Sequence, residues 1–127
     1  MGKTLITSLL ILFICTEIKA QEAITGPHGG RMKVAHGYKI ESLGCDNYIE
    51  IYLFNEETDP IFNNGVTGDV KFFYDNKTIN TPLTKYGIDG FSAKISSPDF
   101  SHYKVTLNLN DNKIISADFN ECVVPKQ

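Results

Sequence analysis

The feature that most constrains this chain is an alternation of apolar and polar residues with period two, which recurs from residue 31 onward. Side chains of a β-strand point alternately to the two faces of a sheet, so this alternation is typical of strands with one buried face. From residue 21 onward, no window keeps apolar residues at the i, i+3, i+4 and i+7 positions of an amphipathic helix over three turns. The sequence therefore predicts an all-β fold.

Eight short segments carry the strand pattern and are separated by turn-forming residues: 31–35, 38–42, 48–54, 69–74, 78–83, 91–95, 103–109 and 114–119. Strands of this length and spacing favour an antiparallel β-sandwich of immunoglobulin-like architecture with about 7–8 strands. A small closed barrel is the alternative. Pro82 cannot donate a backbone hydrogen bond, so its strand is expected at the edge of a sheet.

The first two segments read as a hairpin. We expect Gly37 to adopt the positive φ angle that its turn requires. We also expect Met32, Val34, Tyr38 and Ile40 to share the buried face.

The strongest strand prediction is Tyr48–Phe54, in which aliphatic residues alternate with two tyrosines and Glu50. The aliphatic side chains are expected in the core. The opposite face, which carries Tyr48, Glu50 and Tyr52, is expected to be a partner surface or to be covered by a neighbouring strand. Among the other aromatic residues, those expected to point inward include Phe73, Phe91 and Tyr103.

Residues 1–20 resemble a secretory signal peptide, with Lys3 ahead of an apolar run and a small residue at Ala20. This run is about half as long as the roughly 20 residues that a membrane-spanning helix needs. Residues 21–127 are then one exported domain without a transmembrane segment. Cleavage before Cys15 and lipid anchoring is the alternative, although the bulky Ile14 disfavours it.

Cys45 and Cys122 remain after cleavage, and an even pair in an exported chain favours a disulfide over two buried thiols. The full chain has a formal net charge of -3, which gives no reason to expect nucleic acid or an anionic membrane as a partner. No nucleophile elbow or phosphate-binding loop occurs, so no enzymatic activity is expected.

The run Gly-Pro-His-Gly-Gly-Arg at 26–31, followed by Gly-Tyr-Lys-Ile-Glu at 37–41, is distinctive. It resembles the small periplasmic β-sandwich domain associated with the adaptor subunits of cobalt-zinc-cadmium and copper efflux systems of the RND type. The likeness extends over roughly residues 26–119. The long helical hairpin of the adaptors is absent, so the resemblance implies a stand-alone accessory module in metal handling and does not imply transport.

A transition-metal ion is therefore the first ligand to consider, and imidazole and thioether groups suit copper, zinc and cobalt. The candidate ligands are His28, Met32 and His102. A strand between His28 and His36 separates them by about 26 Å at ~3.3 Å per residue, so one ion cannot hold both. The alternative is that His28 binds no metal and is simply an exposed residue in a tight turn that leads into the first strand.

From the sequence we therefore expect an exported periplasmic accessory or binding module in heavy-metal efflux or homeostasis. It would bind copper, zinc or cobalt weakly or dock on an efflux adaptor. The alternative is a metal-free domain that mediates protein–protein interactions in the cell envelope.

Overall fold

The computed structural model describes residues 24–44 and 46–120 of the 127-residue chain. The predicted signal peptide (1–20) and both predicted disulfide partners, Cys45 and Cys122, lie outside these ranges. Every regular element within them is a strand, and none of these residues belongs to a helix that is long and apolar enough to cross a membrane.

Ten strands follow one another along the described residues: β1 (Ile24–Thr25), β2 (Arg31–Ala35), β3 (Tyr38–Leu43), β4 (Tyr48–Asn55), β5 (Thr67–Phe73), β6 (Thr78–Pro82), β7 (Thr84–Tyr86), β8 (Gly90–Lys94), β9 (His102–Asn108) and β10 (Ile114–Phe119). They form a six-stranded sheet in the order β1-β2-β3-β4-β8-β7 and a four-stranded sheet in the order β10-β9-β5-β6. All neighbouring strands are antiparallel.

Two packed antiparallel sheets confirm the predicted β-sandwich. All eight predicted strands are present. The two additional strands, β1 and β7, have two and three residues, which is too short for an alternation to be visible in the sequence. β6 ends at Pro82 and forms an edge of the four-stranded sheet, as its proline predicts.

The core lies between the two sheets and is built from every second residue of the long strands. The aliphatic side chains of β4 are buried, as predicted, and so are Phe91 and Tyr103. The fully buried aliphatic residues of β4 are Ile49, Ile51 and Leu53.

A polar contact crosses the core between the two sheets. The hydroxyl groups of Ser42 on β3 and Tyr103 on β9 are 2.6 Å apart and share a hydrogen bond. Burial raises the pKa of the Tyr103 phenol, although the bond with Ser42 acts in the opposite direction. The two sheets are thus joined by a directional bond as well as by apolar packing.

The turn between β2 and β3 contains two residues, because Ala35 pairs directly with Tyr38. His36 and Gly37 have φ angles of 49° and 85°, the positive values of a type I′ turn. The predicted hairpin, with Gly37 at positive φ, is confirmed.

The predicted common face of this hairpin is wrong. Residues that pair directly point to the same face of a sheet, so Ala35 shares the core face with Tyr38. Met32 and Val34, which have the opposite parity to Ala35, therefore point to the outer face, whereas Tyr38 and Ile40 point inward. Val34 is 64% exposed as a result.

Candidate functional site

The loop between β1 and β2, of sequence GPHGG, lies over the outer face of the six-stranded sheet. Pro27 occupies the second position of a turn, where its fixed φ angle is favoured. The Gly29 N–H closes this turn by donating a 3.0 Å hydrogen bond to the Gly26 carbonyl oxygen. The Gly26 N–H donates in turn to the Gly30 carbonyl oxygen at 2.9 Å. The loop is thus closed at its base and presents His28 at its tip.

Glu41 occupies an outward position of β3, yet it is 0% exposed because the loop covers it. Its Oε2 atom accepts hydrogen bonds from the backbone N–H groups of His28 at 2.9 Å and Gly30 at 2.8 Å. Its Oε1 atom lies 2.8 Å from Nδ1 of His28. A carboxylate can only accept, so Nδ1 of His28 carries the hydrogen of this bond.

Two glycines of the loop leave the space that the carboxylate fills. A Cβ atom on Gly26 would lie 2.3 Å from Cδ of Glu41, and one on Gly30 would lie 2.6 Å from the carbonyl oxygen of Ser42. Larger residues at either position would push the loop off the sheet. The two sequence motifs, GPHGG and GYKIE, therefore contact each other through His28, Gly30 and Glu41.

The imidazole ring of His28 stacks on the ring of Tyr52, with 3.7 Å between centroids and 11° between planes. About a third of the side chain remains exposed, at 35%. Nε2 makes no hydrogen bond to any residue of the described part of the chain. Because Nδ1 donates to Glu41, the lone pair of the neutral ring is on Nε2. We refer to His28, Glu41 and Tyr52 together as the His28 site.

Tyr52 is held in place from its other side. Its hydroxyl donates a 2.7 Å hydrogen bond to Oε1 of Glu50. Burial and this bond raise the pKa of the Tyr52 phenol, so the ring is a neutral platform for His28. Gly90 lies opposite Tyr52 on β8, where a Cβ atom would come within 2.8 Å of the ring. His28 covers the Tyr52 part of the predicted partner face, whereas Tyr48 remains exposed.

Met32 lies close to the His28 site. It pairs with Glu41 across β2 and β3 and points to the same outer face. Its side chain is buried in a small apolar cluster on this face, which comprises Met32, Leu43, Tyr52 and Phe54. The structure therefore brings two of the three predicted metal ligands, His28 and Met32, to one face of the molecule.

The third predicted ligand, His102, lies elsewhere. It begins β9 in the four-stranded sheet, pointing outward with its ring stacked on Phe73 at 4.2 Å. Its Nδ1 atom is hydrogen-bonded to the Ser101 hydroxyl at 2.9 Å. Phe73 was expected in the core, and this expectation is wrong because Phe72 takes the inward position of β5.

His28 and His102 thus occupy the outer faces of opposite sheets, and an ion bound at one is not shared with the other within one molecule. Among residues 24–44 and 46–120, no three His, Cys, Asp or Glu side chains come together in a group that can hold a metal ion.

Glu41 is the residue of this site that sequence reasoning missed. In the alternation of β3 it occupies a polar, outward position, which predicts a solvated carboxylate. The sequence feature that could have pointed to Glu41 is its position at the end of GYKIE, four residues after Gly37. A two-residue turn places Glu41 opposite Met32, and the GPHGG loop lies over it. The predicted turn at residues 36 and 37 already implies this pairing, whereas the folding of the GPHGG loop over Glu41 is seen only in the structure.

The comparisons with known proteins identify no relative. No family model matches the sequence, and no match was found among the curated proteins or the solved structures.

Proposed function

We propose that the chain is a non-catalytic, exported binding module in heavy-metal efflux or homeostasis, and that Nε2 of His28 is its metal ligand. Two observations support this proposal. The first is the resemblance of the GPHGG and GYKIE motifs to the periplasmic domain of metal-efflux adaptors. The second is the contact between these motifs, which forms the His28 site.

The hydrogen bond from Nδ1 of His28 to Glu41 carries the proposal. A histidine that ligates a metal through one ring nitrogen commonly donates the other N–H to a carboxylate, which fixes the tautomer and makes the ligand more basic. Glu41 is suited to this role because two backbone N–H groups hold its other oxygen in place. The stack on Tyr52 fixes the ring plane and with it the direction of the Nε2 lone pair.

Such a site binds an ion weakly and in an open coordination sphere. Structural zinc sites use four protein ligands, whereas His28 supplies one. The thioether of Met32 is buried, so it becomes a second ligand only if its side chain turns toward the loop. The remaining positions are left for water or for ligands from a partner, which suits an ion that is passed on to an efflux adaptor. Copper, zinc and cobalt are the metals that imidazole favours.

Metal titration of the purified chain tests this proposal. Cu(I), Cu²⁺, Zn²⁺ and Co²⁺ are added separately, and binding is followed by calorimetry and by the NMR signals of the His28 ring. We expect His28→Ala to abolish binding. The matched control His102→Ala, which also removes a stacked histidine, should leave the affinity unchanged.

Glu41→Gln separates orientation from ligation. The glutamine oxygen can still accept from the two backbone N–H groups, while its amide N–H faces Nδ1 of His28. The imidazole proton then moves to Nε2 and removes the lone pair that the metal needs. We expect the affinity to fall about 10- to 100-fold, as for other residues that orient a metal ligand. Dissociation constants above about 1 mM for all four ions, or equal affinities of the wild type and His28→Ala, would contradict the proposal.

The alternative is a metal-free interaction domain of the cell envelope. Exposed apolar side chains around the β7–β8 hairpin favour it, and binding of an envelope partner that a chelator leaves unchanged would distinguish it from metal-dependent docking.

A further inference from the structure

Three large hydrophobic side chains are exposed where the β4–β5 connection runs beside the β7–β8 hairpin, at one end of the six-stranded sheet. Phe62 lies in the connection between β4 and β5 and is 62% exposed. Tyr86 ends β7 and Ile88 lies in the turn between β7 and β8, and they are 50% and 70% exposed. We call these three residues the hairpin patch. Single exposed hydrophobic residues are common, but several on adjacent loops are typical of an interaction site.

A buried asparagine fixes the two loops to each other. The backbone N–H of Asn63 donates to the Ile88 carbonyl oxygen at 2.9 Å. Its side-chain amide donates to the carbonyl oxygens of Gly87 at 3.0 Å and Gly90 at 2.8 Å. Asn63 is itself almost completely buried. The backbone beneath the hairpin patch is therefore preorganised, so little order has to be gained when a partner binds.

The surroundings of the hairpin patch are acidic. The loop Glu56–Asp59, which leads to Phe62, carries three exposed carboxylates, and Asp89 follows Ile88 in the hairpin. Two lysines lie nearby. Lys39 donates a 2.8 Å hydrogen bond to Thr58 within the acidic loop. Lys85 pairs with the inward-facing Phe91, so it projects from the opposite face of the sheet to Tyr86.

We propose that the hairpin patch binds a segment of a partner protein that presents an apolar side chain next to Lys or Arg residues. The apolar group packs on Phe62 and Ile88, and the basic groups face the carboxylates of Glu56–Asp59 and Asp89. A second copy of this chain is the less suitable occupant, because a two-fold interface would place the acidic surroundings of one patch against those of the other.

Selection from a display library of random peptides tests this proposal with the purified chain as the target. We expect the enriched peptides to combine an apolar residue with neighbouring Lys or Arg, and their binding to weaken as salt is raised. The double variant Phe62→Ser/Ile88→Ser should bind them at least tenfold more weakly. The matched control Ile24→Ser/Ile114→Ser removes two side chains that are 48% and 63% exposed. Ile24 lies on β1, at the opposite edge of the six-stranded sheet from β7, and Ile114 lies on β10 in the other sheet. This control should bind as the wild type does.

Circular dichroism and thermal unfolding establish that both double variants are folded. No enrichment, enrichment of acidic peptides, or equal binding by Phe62→Ser/Ile88→Ser and the wild type would overturn the proposal. Self-association in sedimentation experiments that this variant abolishes would also overturn it, in favour of a second copy. None of these measurements involves a metal ion, so this proposal and the proposed function fail or succeed separately.

Discussion

Replacing Glu41 tests whether the GPHGG loop is held to the sheet by a buried carboxylate. Glu41→Ala removes the acceptor of two backbone N–H groups and of the His28 imidazole. A hydrogen bond to a charged group contributes about 1.5–3 kcal/mol, so the two backbone bonds alone amount to about 3–6 kcal/mol. Water reaches the amides once the loop opens, so we expect a loss near the lower end, about 3 kcal/mol. This is a large part of the roughly 5–15 kcal/mol that stabilises a typical domain.

Glu41→Gln should cost less, because its amide oxygen still accepts from both backbone N–H groups. Exchanging a charged acceptor for a neutral one loses about 1 kcal/mol per bond, or about 2 kcal/mol in all. Free energies of unfolding are measured by urea denaturation at neutral pH. Glu57→Ala, which removes an exposed carboxylate, is the control and should change the free energy by less than about 0.5 kcal/mol. A Glu41→Ala variant as stable as this control would refute the structural role of the carboxylate.

Three further predictions concern stability. Because the pKa of Tyr103 is raised in the folded state, the unfolded chain loses this proton at a lower pH than the folded chain does, and above pH ~10 the free energy of unfolding should fall by up to about 1.4 kcal/mol per pH unit. In urea unfolding between about pH 9 and 11, this fall should be shallower for Tyr103→Phe than for the wild type. Equal slopes for the two proteins would count against the prediction. Gly30→Ala brings a Cβ atom within 2.6 Å of a backbone carbonyl oxygen, whereas Gly37→Ala meets nothing within 4 Å. We expect the first to cost at least about 2 kcal/mol and the second, which strains only a positive φ angle, about 1 kcal/mol, and thermal unfolding that reverses this order would contradict the loop geometry. If Cys45 and Cys122 form the predicted disulfide, reduction should lower the free energy of unfolding by up to about 4 kcal/mol, and mass spectrometry that finds both thiols alkylated without reductant would exclude the bond.

The strands were predictable because apolar and polar residues alternate within each of them. Buried positions recur at every second residue of a strand, whichever strand it pairs with. The positions of the Tyr48–Phe54 strand are the clearest case. β1 and β7 were not predictable, because two or three residues carry no period. Phe73 and Phe72 are adjacent and both aromatic, so hydrophobicity alone could not decide which of them lies in the core.

The candidate site depends on which residues of β2 and β3 point to the same face of the sheet, and the hydrophobicity of these residues does not determine this. Met32 and Val34 look like core residues in sequence, and only the two-residue turn places them on the outer face. The same turn places Glu41 beneath the GPHGG loop. The motif pointed to His28 from the sequence, whereas the role of the carboxylate emerged only from the contacts of the loop with Glu41.

The hydrogen bond between Ser42 and Tyr103 has a consequence for how uniquely this sandwich is defined. Two apolar sheet faces can pack in slightly shifted positions at little cost in free energy, since hydrophobic burial has no preferred direction. The buried hydrogen bond between Ser42 and Tyr103 opposes such a shift, because breaking it leaves two buried hydroxyl groups without a partner and without water. Exchanging both residues for hydrocarbon of matching volume should therefore preserve most of the stability while admitting alternative alignments of the layers, visible as broadened or doubled NMR signals from core methyl groups.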